Sequence, residues 1–487
     1  MAFNTNGQTS PITKLPNEVV HMVFAYLNPG EVANLRLLSK RMAVIGLHYL
    51  VPTIHLDLEM DSFKKLRDIA DHPVASKHVY ELVYEVDRLE SLSWEDWSRR
   101  IIGYGYNSWQ YRGLPEPPGA NASAADMQAY SQELEIHLSM PVHRLSHEQI
   151  HQEWNHFRDA YIEQWTICNS LSLAGVINDA LKKLPRLRSV RTSSRNTMTR
   201  WMEGFTERLG AEWDNDALVL DLPVDAWKVG LCSTQYILRV LGHHNIPITT
   251  LYLAGLNWQF LAQDDNRFMR IKGSFRHLKD LSIFFTGRIT CYQEEISEGA
   301  NRFDSDAFTQ IRQRGRLLEL FSAAPDLEAL TISFGGCDPT IAASFEHTFG
   351  TFHWKSLKDV KLMAFETNED EVLDFFSRHA NSLQSISLRL IDLSDGKWST
   401  ILHRMHQTMK LKHVHGCWDL SEDYHTRIWN MHKIVKIWDE KRKVFVSSHL
   451  GTLVEQYLQQ HDKKDMTFEA YLTSLHLGPL EELLEDY

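Results

Sequence analysis

The chain has 487 residues, 43% of them hydrophobic and 11% aromatic, which suits folded cores and exceeds what one core usually needs. Its formal net charge of −12 at pH 7 argues against nonspecific nucleic-acid binding, which needs clustered Lys and Arg. No apolar stretch reaches the roughly 18 residues of a membrane span, and Met1 to Thr13 lacks the charged start and apolar core of a secretory signal.

The first predicted element is a helix opening at Leu15-Pro16, where proline suits the first turn. Val19, Val20, Val23, Phe24 and Leu27 give it a broad apolar face, and Asn28-Pro29-Gly30 ends it. A second helix carries Val32, Leu35 and Leu38. A third runs from Arg41 to Leu50 with Val44, Ile45 and Leu47, before Pro52. Three helices in about forty residues bury too little surface to stand alone. They must lean on the rest of the chain or on a partner.

Residues Lys14 to Leu56 resemble an F-box. Leu15, Pro16, Glu18, Phe24, Tyr26, Leu27, Leu35, Ser39, Lys40 and Arg41 carry the resemblance. Met42 departs from it, standing where that family often has an aromatic residue.

Farther along, Val79, Leu82, Val83 and Tyr84 form a short strand-like run. Residues 111–126, with Pro115, Pro117, Pro118 and Gly119, read as a flexible loop. Gln128 to about Gln164 reads as helical. A spaced apolar signal then recurs. It begins at Leu187-Arg-Ser-Val190 and continues at Ile248-x-x-Leu251-x-Leu253, Leu278-x-x-Leu281-x-Ile283 and Leu327-x-x-Leu330-x-Ile332. Leu357-x-x-Val360-x-Leu362, Leu383-x-x-Ile386-x-Leu388 and a weaker Leu411-x-x-Val414 follow. From Ile248 the starts lie 30, 49, 30, 26 and 28 residues apart, and the 61 residues before it span about two repeats. Helical stripes precede several starts, as in Leu173, Val176, Ile177, Ala180, Leu181 and Leu184, or Trp398, Ile401, Leu402 and Met405.

A helix and a short strand at about 30 residues predict a solenoid that resembles leucine-rich repeats. The ninth repeat position, usually Asn or Cys there, is Leu256, Thr286, Gly335, Phe365 and Ile391. The expected fold class is therefore α/β: an N-terminal three-helix F-box, then an irregular leucine-rich-repeat-like α/β solenoid. The divisions are a flexible arm at 1–13, the F-box at 14–56, a connecting region at 57–165, the repeat domain at 166–440, and a helical cap with an acidic tail at 441–487.

His147-Glu148-Gln149-Ile150-His151 is a literal HExxH, the pattern of zinc hydrolases. The extended motif's Gly and His are missing, with Trp154 and Phe157 in their places, so a solvated amphipathic helix is the reading. Five cysteines without paired spacing fit a reducing compartment, where the Asn121-Ala122-Ser123 sequon stays silent. Gly-rich phosphate loops and a Gly-x-Ser-x-Gly elbow are absent from the sequence. No catalytic residue, metal or cofactor is expected.

The resemblance implies the substrate receptor of a Skp–cullin–F-box ubiquitin ligase, in the cytoplasm or nucleus, which does no covalent chemistry itself. A repeat-based scaffold without a ligase role is the alternative, and an HExxH zinc hydrolase is the remote one. Leu15, Pro16, Val19, Val20, Val23, Leu35 and Leu38 are the residues expected to meet a Skp-type adaptor and, through it, cullin. Alternation along the repeat strands nominates Tyr252, Asp280, Ser282, Phe284, Ala329, Thr331, Ser333, Asp359, Lys361, Ser387 and Arg389 for a protein substrate.

Overall fold

The computed structural model describes residues 15–85, 89, 92–97, 128, 130, 132, 147–169, 171–193, 226–256, 260–285, 315–334, 343–415, 418–422, 427–429, 434–439, 444–460, 465–475, 477 and 485–486. The arm at 1–13, the loop at 111–126 and the sequon lie outside these residues. The chain forms two compact units: Met1–Val86, Ser170–Ser194 and Trp227–Tyr487 make the larger, Asp87–Asn169 and Arg195–Ala226 the smaller.

The larger unit opens with helices α1 (Asn17–Ala25), α2 (Pro29–Leu35) and α3 (Lys40–Leu50), the last two joined by a 3-10 turn at Arg36–Leu38. Strand β1 (Thr53–Leu56), helix α4 (Met60–Asp71) and strand β2 (Glu81–Glu85) follow. Helices α5 (Trp94–Trp97) and α6 (His147–Asn169) belong to the smaller unit. Helices and strands then alternate. They are α7 (Leu171–Lys182), β3 (Ser189–Ser193), α8 (Ala226–His243), β4 (Thr250–Leu256), α9 (Asp265–Gly273) and β5 (Asp280–Phe285). Next come α10 (Arg316–Ser322), β6 (Ala329–Ser333), α11 (Phe345–Phe349), β7 (Asp359–Thr367), α12 (Glu369–His379), β8 (Ser385–Leu393) and α13 (Trp398–Thr408). The C-terminal part adds β9 (His413–Val414), β10 (Trp418–Glu422), β11 (Arg427–Trp429), β12 (Ile434–Asp439), β13 (Val444–His449), α14 (Leu450–Gln459), α15 (Phe468–Ser474) and β14 (Glu485–Asp486). None of the described helices is long and apolar enough to cross a membrane.

Among the described residues, β1 to β8 pair in sequence order and in parallel, and β9 and β10 both extend from β8. Antiparallel β11 and β14 close the far edge, so the acidic tail residues Glu485 and Asp486 enter the sheet as a strand. Parallel neighbours need a crossover, and each step from β1 to β9 is made through a helix. The sheet thus begins at Thr53, well before the expected boundary at 166. Strand β3 also bonds directly to β4, so no other strand lies between these two rungs of the sheet. Part of the 61 residues between their repeat starts, Arg195–Ala226, goes to the smaller unit instead.

One backbone feature recurs at every rung. The carbonyls of Pro52, Tyr80, Arg188, Thr249, Lys279, Glu328, Lys358 and Gln384 each accept two N–H groups from the next rung, at 2.7–3.1 Å. Side chains hold the rungs in register. Ile54, Leu82, Val190, Leu251, Leu281, Leu330, Val360, Ile386 and Val414 form one continuous buried row. A second apolar row closes the strand ends, where the sequence lacks an amide ladder. Leu256 pairs with Phe285, Phe285 stacks on Phe334 (5.0 Å, 3°), Phe334 meets Phe365 edge-on (5.1 Å), and Phe365 pairs with Ile391. Helices pack behind in sequence order, and α8 meets α9 so closely at Gly242 that an added Cβ would lie 1.9 Å from the Arg270 carbonyl.

In the smaller unit, Trp97, Trp154 and Phe157 cluster, and the Leu89 N–H donates to Gln164 Oε1 at 2.8 Å. Helix α6 is less solvated than expected, because Glu153, Phe157, Gln164 and Ile167 share a buried stripe. His151 of the HExxH stacks on Trp94 (4.5 Å, 7°). Among the described residues no group of three His, Cys, Asp or Glu side chains is placed to hold a metal ion.

Phe334→Ala, which empties the middle of the apolar row, is expected to cost about 3–5 kcal/mol in a denaturant titration. Thr331→Ala on the open face is expected to cost less than about 0.5 kcal/mol. Buried His379 gives a pH signature. Its Nδ1–H donates to the Phe375 carbonyl (2.8 Å) and its Nε2 accepts the Trp354 N–H (3.1 Å), which fixes a neutral ring. Burial drives its pKa down to about 4, against the pull of the Phe375 bond. The unfolded chain takes this proton first, so the contribution is full above the unfolded value and is lost as pH falls from about 6.5 towards 4. Denaturation midpoints at pH 5 and 7 are expected to differ by about 1–3 kcal/mol more in the wild type than in His379→Gln.

Candidate functional site

Local sequence dictates the N-terminal helices. Asn28 and Glu31 cap α2 reciprocally: the Glu31 N–H donates to Asn28 Oδ1 and the Asn28 N–H to Glu31 Oε2, both at 3.0 Å. Ser39 caps α3 by accepting the Met42 N–H at 3.1 Å. Arg41 reaches back to Asn17 Oδ1 (2.6 Å) and to the Leu15 carbonyl, tying α3 to the start of α1. Gly46 is required where α3 crosses the module, since a Cβ there would sit 2.3 Å from the Arg36 side chain and 2.8 Å from Phe24.

The small core is Val20, Phe24, Val32, Met42 and Ile45, with Leu15, Leu27, Leu35, Tyr49 and Leu50 packed against it. Met42 fills the place where an aromatic residue was expected. This divides the nominated adaptor-facing residues. Val20, at 1% exposure, is core and unavailable to a partner, because its neighbours on the opposite helices cover it. Leu15 and Leu35 are half-buried on the same cluster, and Val23 is half-buried as well. Pro16, Val19 and Leu38 are exposed.

Sequence reasoning missed the stronger part of the surface. Val19, Met22 and Tyr26 fall at i, i+3 and i+7 along α1, a helical stripe turned away from the core, with Tyr26 88% exposed. Leu37 (84%), Leu38 and Val44 add exposed apolar side chains from the next two elements. Six of the twelve exposed large apolar residues among those described therefore fall between residues 19 and 44. Such a concentration marks a surface awaiting cover. The missed signal was the spacing 19–22–26, hidden beneath the stronger 20–24 core stripe.

This module is fixed to the sheet. Helix α3 passes across Pro52 straight into β1, and His48 Nδ1 faces His78 Nδ1 at 3.2 Å. Burial lowers the pKa of both imidazoles, and the positive groups around them (His21 and Arg186 for His48; His48, Arg186 and Lys77 for His78) lower it further. Both shifts favour the neutral rings, and between two neutral rings one Nδ1–H donates to the other's Nδ1.

The nominated substrate residues share one face. Register aligns Asp280, Ala329, Asp359 and Ser385 in one row, and Tyr252, Ser282, Thr331, Lys361 and Ser387 in the next. Phe284, Ser333, Met363 and Arg389 form a third row. Ser333 is the exception, buried rather than open at its strand end. Tyr252 packs on Phe284 (5.0 Å) and lies under Arg191 (5.2 Å), which also approaches Glu81 (3.9 Å). Partial desolvation and the Asp359 carboxylate raise the Asp280 pKa, while Lys361, 3.7 Å from Asp359, opposes that shift. The face offers aromatic rings, hydroxyls and both signs of charge. Arg191 and Glu81 were not nominated, although Arg191 follows Val190 in the same alternation.

Val20→Ala is expected to lower stability by about 2 kcal/mol through a cavity in the small core. Tyr26→Ser is expected to change it by less than about 0.5 kcal/mol. Thermal melts of the two variants check the division between core and surface.

Comparison with known families matches residues 12–45 to the F-box domain, while no curated protein matches the chain. F-box domains generally bind Skp-type adaptors. The chain carries an F-box domain, joined to a mostly parallel α/β sheet.

Proposed function

We propose that this chain is the substrate receptor of a Skp–cullin–F-box ubiquitin ligase. The F-box supports an adaptor role in such a ligase at family level. The observation that carries the reading is the exposed set Val19, Met22, Tyr26, Leu37, Leu38 and Val44, concentrated within the F-box match. A Skp-type adaptor covers this set and links the chain to cullin. The sheet, with its repeating 1-4-6 apolar pattern and a helix before each strand, is an irregular leucine-rich-repeat-like solenoid. Its open face, from Tyr252 to Arg389, holds the protein substrate. The chain performs no bond chemistry; it raises the effective concentration of an acceptor lysine near the conjugating enzyme. It works in the cytoplasm or nucleus.

Co-purification with a Skp-type adaptor tests this. Tyr26→Asp with Leu37→Asp is expected to reduce adaptor recovery at least about tenfold, since buried charge at an interface centre costs more than about 1.4 kcal/mol. The variant retains the wild-type melt. Equal recovery by both proteins overturns the docking surface. Recovery of adaptor without cullin assigns the chain to a scaffold outside the ligase.

A further inference from the structure

The rung carbonyls belong to residues at the rim where each strand begins. After Pro52 and Tyr80 these are Arg188, Thr249, Lys279, Glu328, Lys358 and Gln384, and Lys412 follows. From Arg188 onward cations occupy every second rung. Neighbouring strands lie about 4.8 Å apart, so the cations recur about every 10 Å. Glu328 sits between two of them and accepts from Lys279 Nζ (3.0 Å) and Lys358 Nζ (2.6 Å). These hydrogen bonds, that from Lys358 foremost, hold its carboxyl down at about 2.

The next interval repeats this arrangement without the acid. Gln384 lies between Lys358 and Lys412, and its amide oxygen accepts from Lys412 Nζ at 2.9 Å. Thr249 occupies the interval between Arg188 and Lys279. The rim therefore contains one filled carboxylate seat and a second whose acid is replaced by a neutral amide. Exposed Arg186, Arg276, Lys355 and Lys410, in the turns leading to these rungs, outnumber exposed Asp326 in the turn before Glu328 and leave the rim basic in a chain of net charge −12.

We propose that the Lys358–Gln384–Lys412 seat and its rim bind an acidic polypeptide segment of the substrate, laid across the strands with a carboxylate at every third residue. Three residues of a polyproline II chain complete one turn and rise about 9 Å, which returns every third side chain to the same side at close to the interval between the rim cations. A nucleic acid is the poorer match, because the chain's overall negative charge repels a long polyanion and the filled seat holds a carboxylate. The inference rests on the receptor reading for the identity of its ligand as substrate. Binding is measured without adaptor, so its failure leaves adaptor capture untouched.

Fluorescence anisotropy on the full chain tests it, with a labelled peptide of about twelve residues bearing Glu at every third position. The expected result is saturable binding that weakens with salt, is absent for the Gln counterpart, and exceeds that of a single-stranded oligonucleotide of equal charge. Gln384→Glu supplies the missing acid from within and weakens binding about two- to fivefold, as does Lys412→Gln. Glu328→Gln empties the filled seat and tightens binding by a similar factor. Gln152→Glu, an equal charge change in the smaller unit, leaves the affinity unchanged. Equal binding of the Glu and Gln peptides, tighter binding of the oligonucleotide, or an equal effect of Gln152→Glu and Gln384→Glu would each overturn the proposal. So would affinities unmoved by Gln384→Glu and Glu328→Gln in protein with unchanged circular dichroism.

Discussion

Strands β2 to β9 are each positioned by one carbonyl of the preceding rung that takes two hydrogen bonds from them, starting at Pro52 and continuing to Gln384. This constraint sets the register, and the register sets everything else. It places the buried row from Ile54 to Val414 on one side and the row from Tyr252 to Ser387 on the other. A one-residue slip would exchange those faces. The doubly used carbonyl therefore decides which side chains form core and which are offered outward.

Arrays of this kind often close their strand ends with buried amides, whose hydrogen bonds demand one residue type at a fixed position. Here the same space is filled by Leu256, Phe285, Phe334, Phe365 and Ile391. Apolar contact is less directional than hydrogen bonding, so the ring planes vary from parallel to nearly perpendicular along the row. Backbone adjustments accompany the substitution. Ala364 and Leu390, aligned on neighbouring strands, both take positive φ (61° and 53°), letting Phe365 and Ile391 turn inward one residue later. Loop length between repeats varies without disturbing the row, which is consistent with closure by packing alone.

The sheet was most legible in sequence where Leu, Ile or Val stood at positions one, four and six. Five such segments became β4 to β8, and the two that keep only positions one and four, at Leu187 and Leu411, became β3 and the two-residue β9. Two earlier rungs follow the same pattern, Val51-x-x-Ile54-x-Leu56 and Val79-x-x-Leu82-x-Tyr84, starting 28 residues apart. The first went unread because Pro52 opens it, and the second, read as a strand, was not joined to the series because tyrosine ends it and Asp87–Asn169 separates it from the rest. In the F-box the apolar residues were visible, but composition alone does not divide core from surface. Val19 and Val20 are adjacent and chemically identical, and only the direction of the helix axis sends one outward.

The passage from α3 through Pro52 into β1 leaves no slack between the F-box helices and the first rung. From β1 to β8 the sheet extends through seven steps, at most about 34 Å at 4.8 Å each. Tilting the N-terminal helices by about five degrees on their partner would swing the last of these strands by about 3 Å, a displacement comparable with one peptide unit. Aim is thus inherited along the backbone, so whatever seats the amino end also sets the position of the strands at the opposite end.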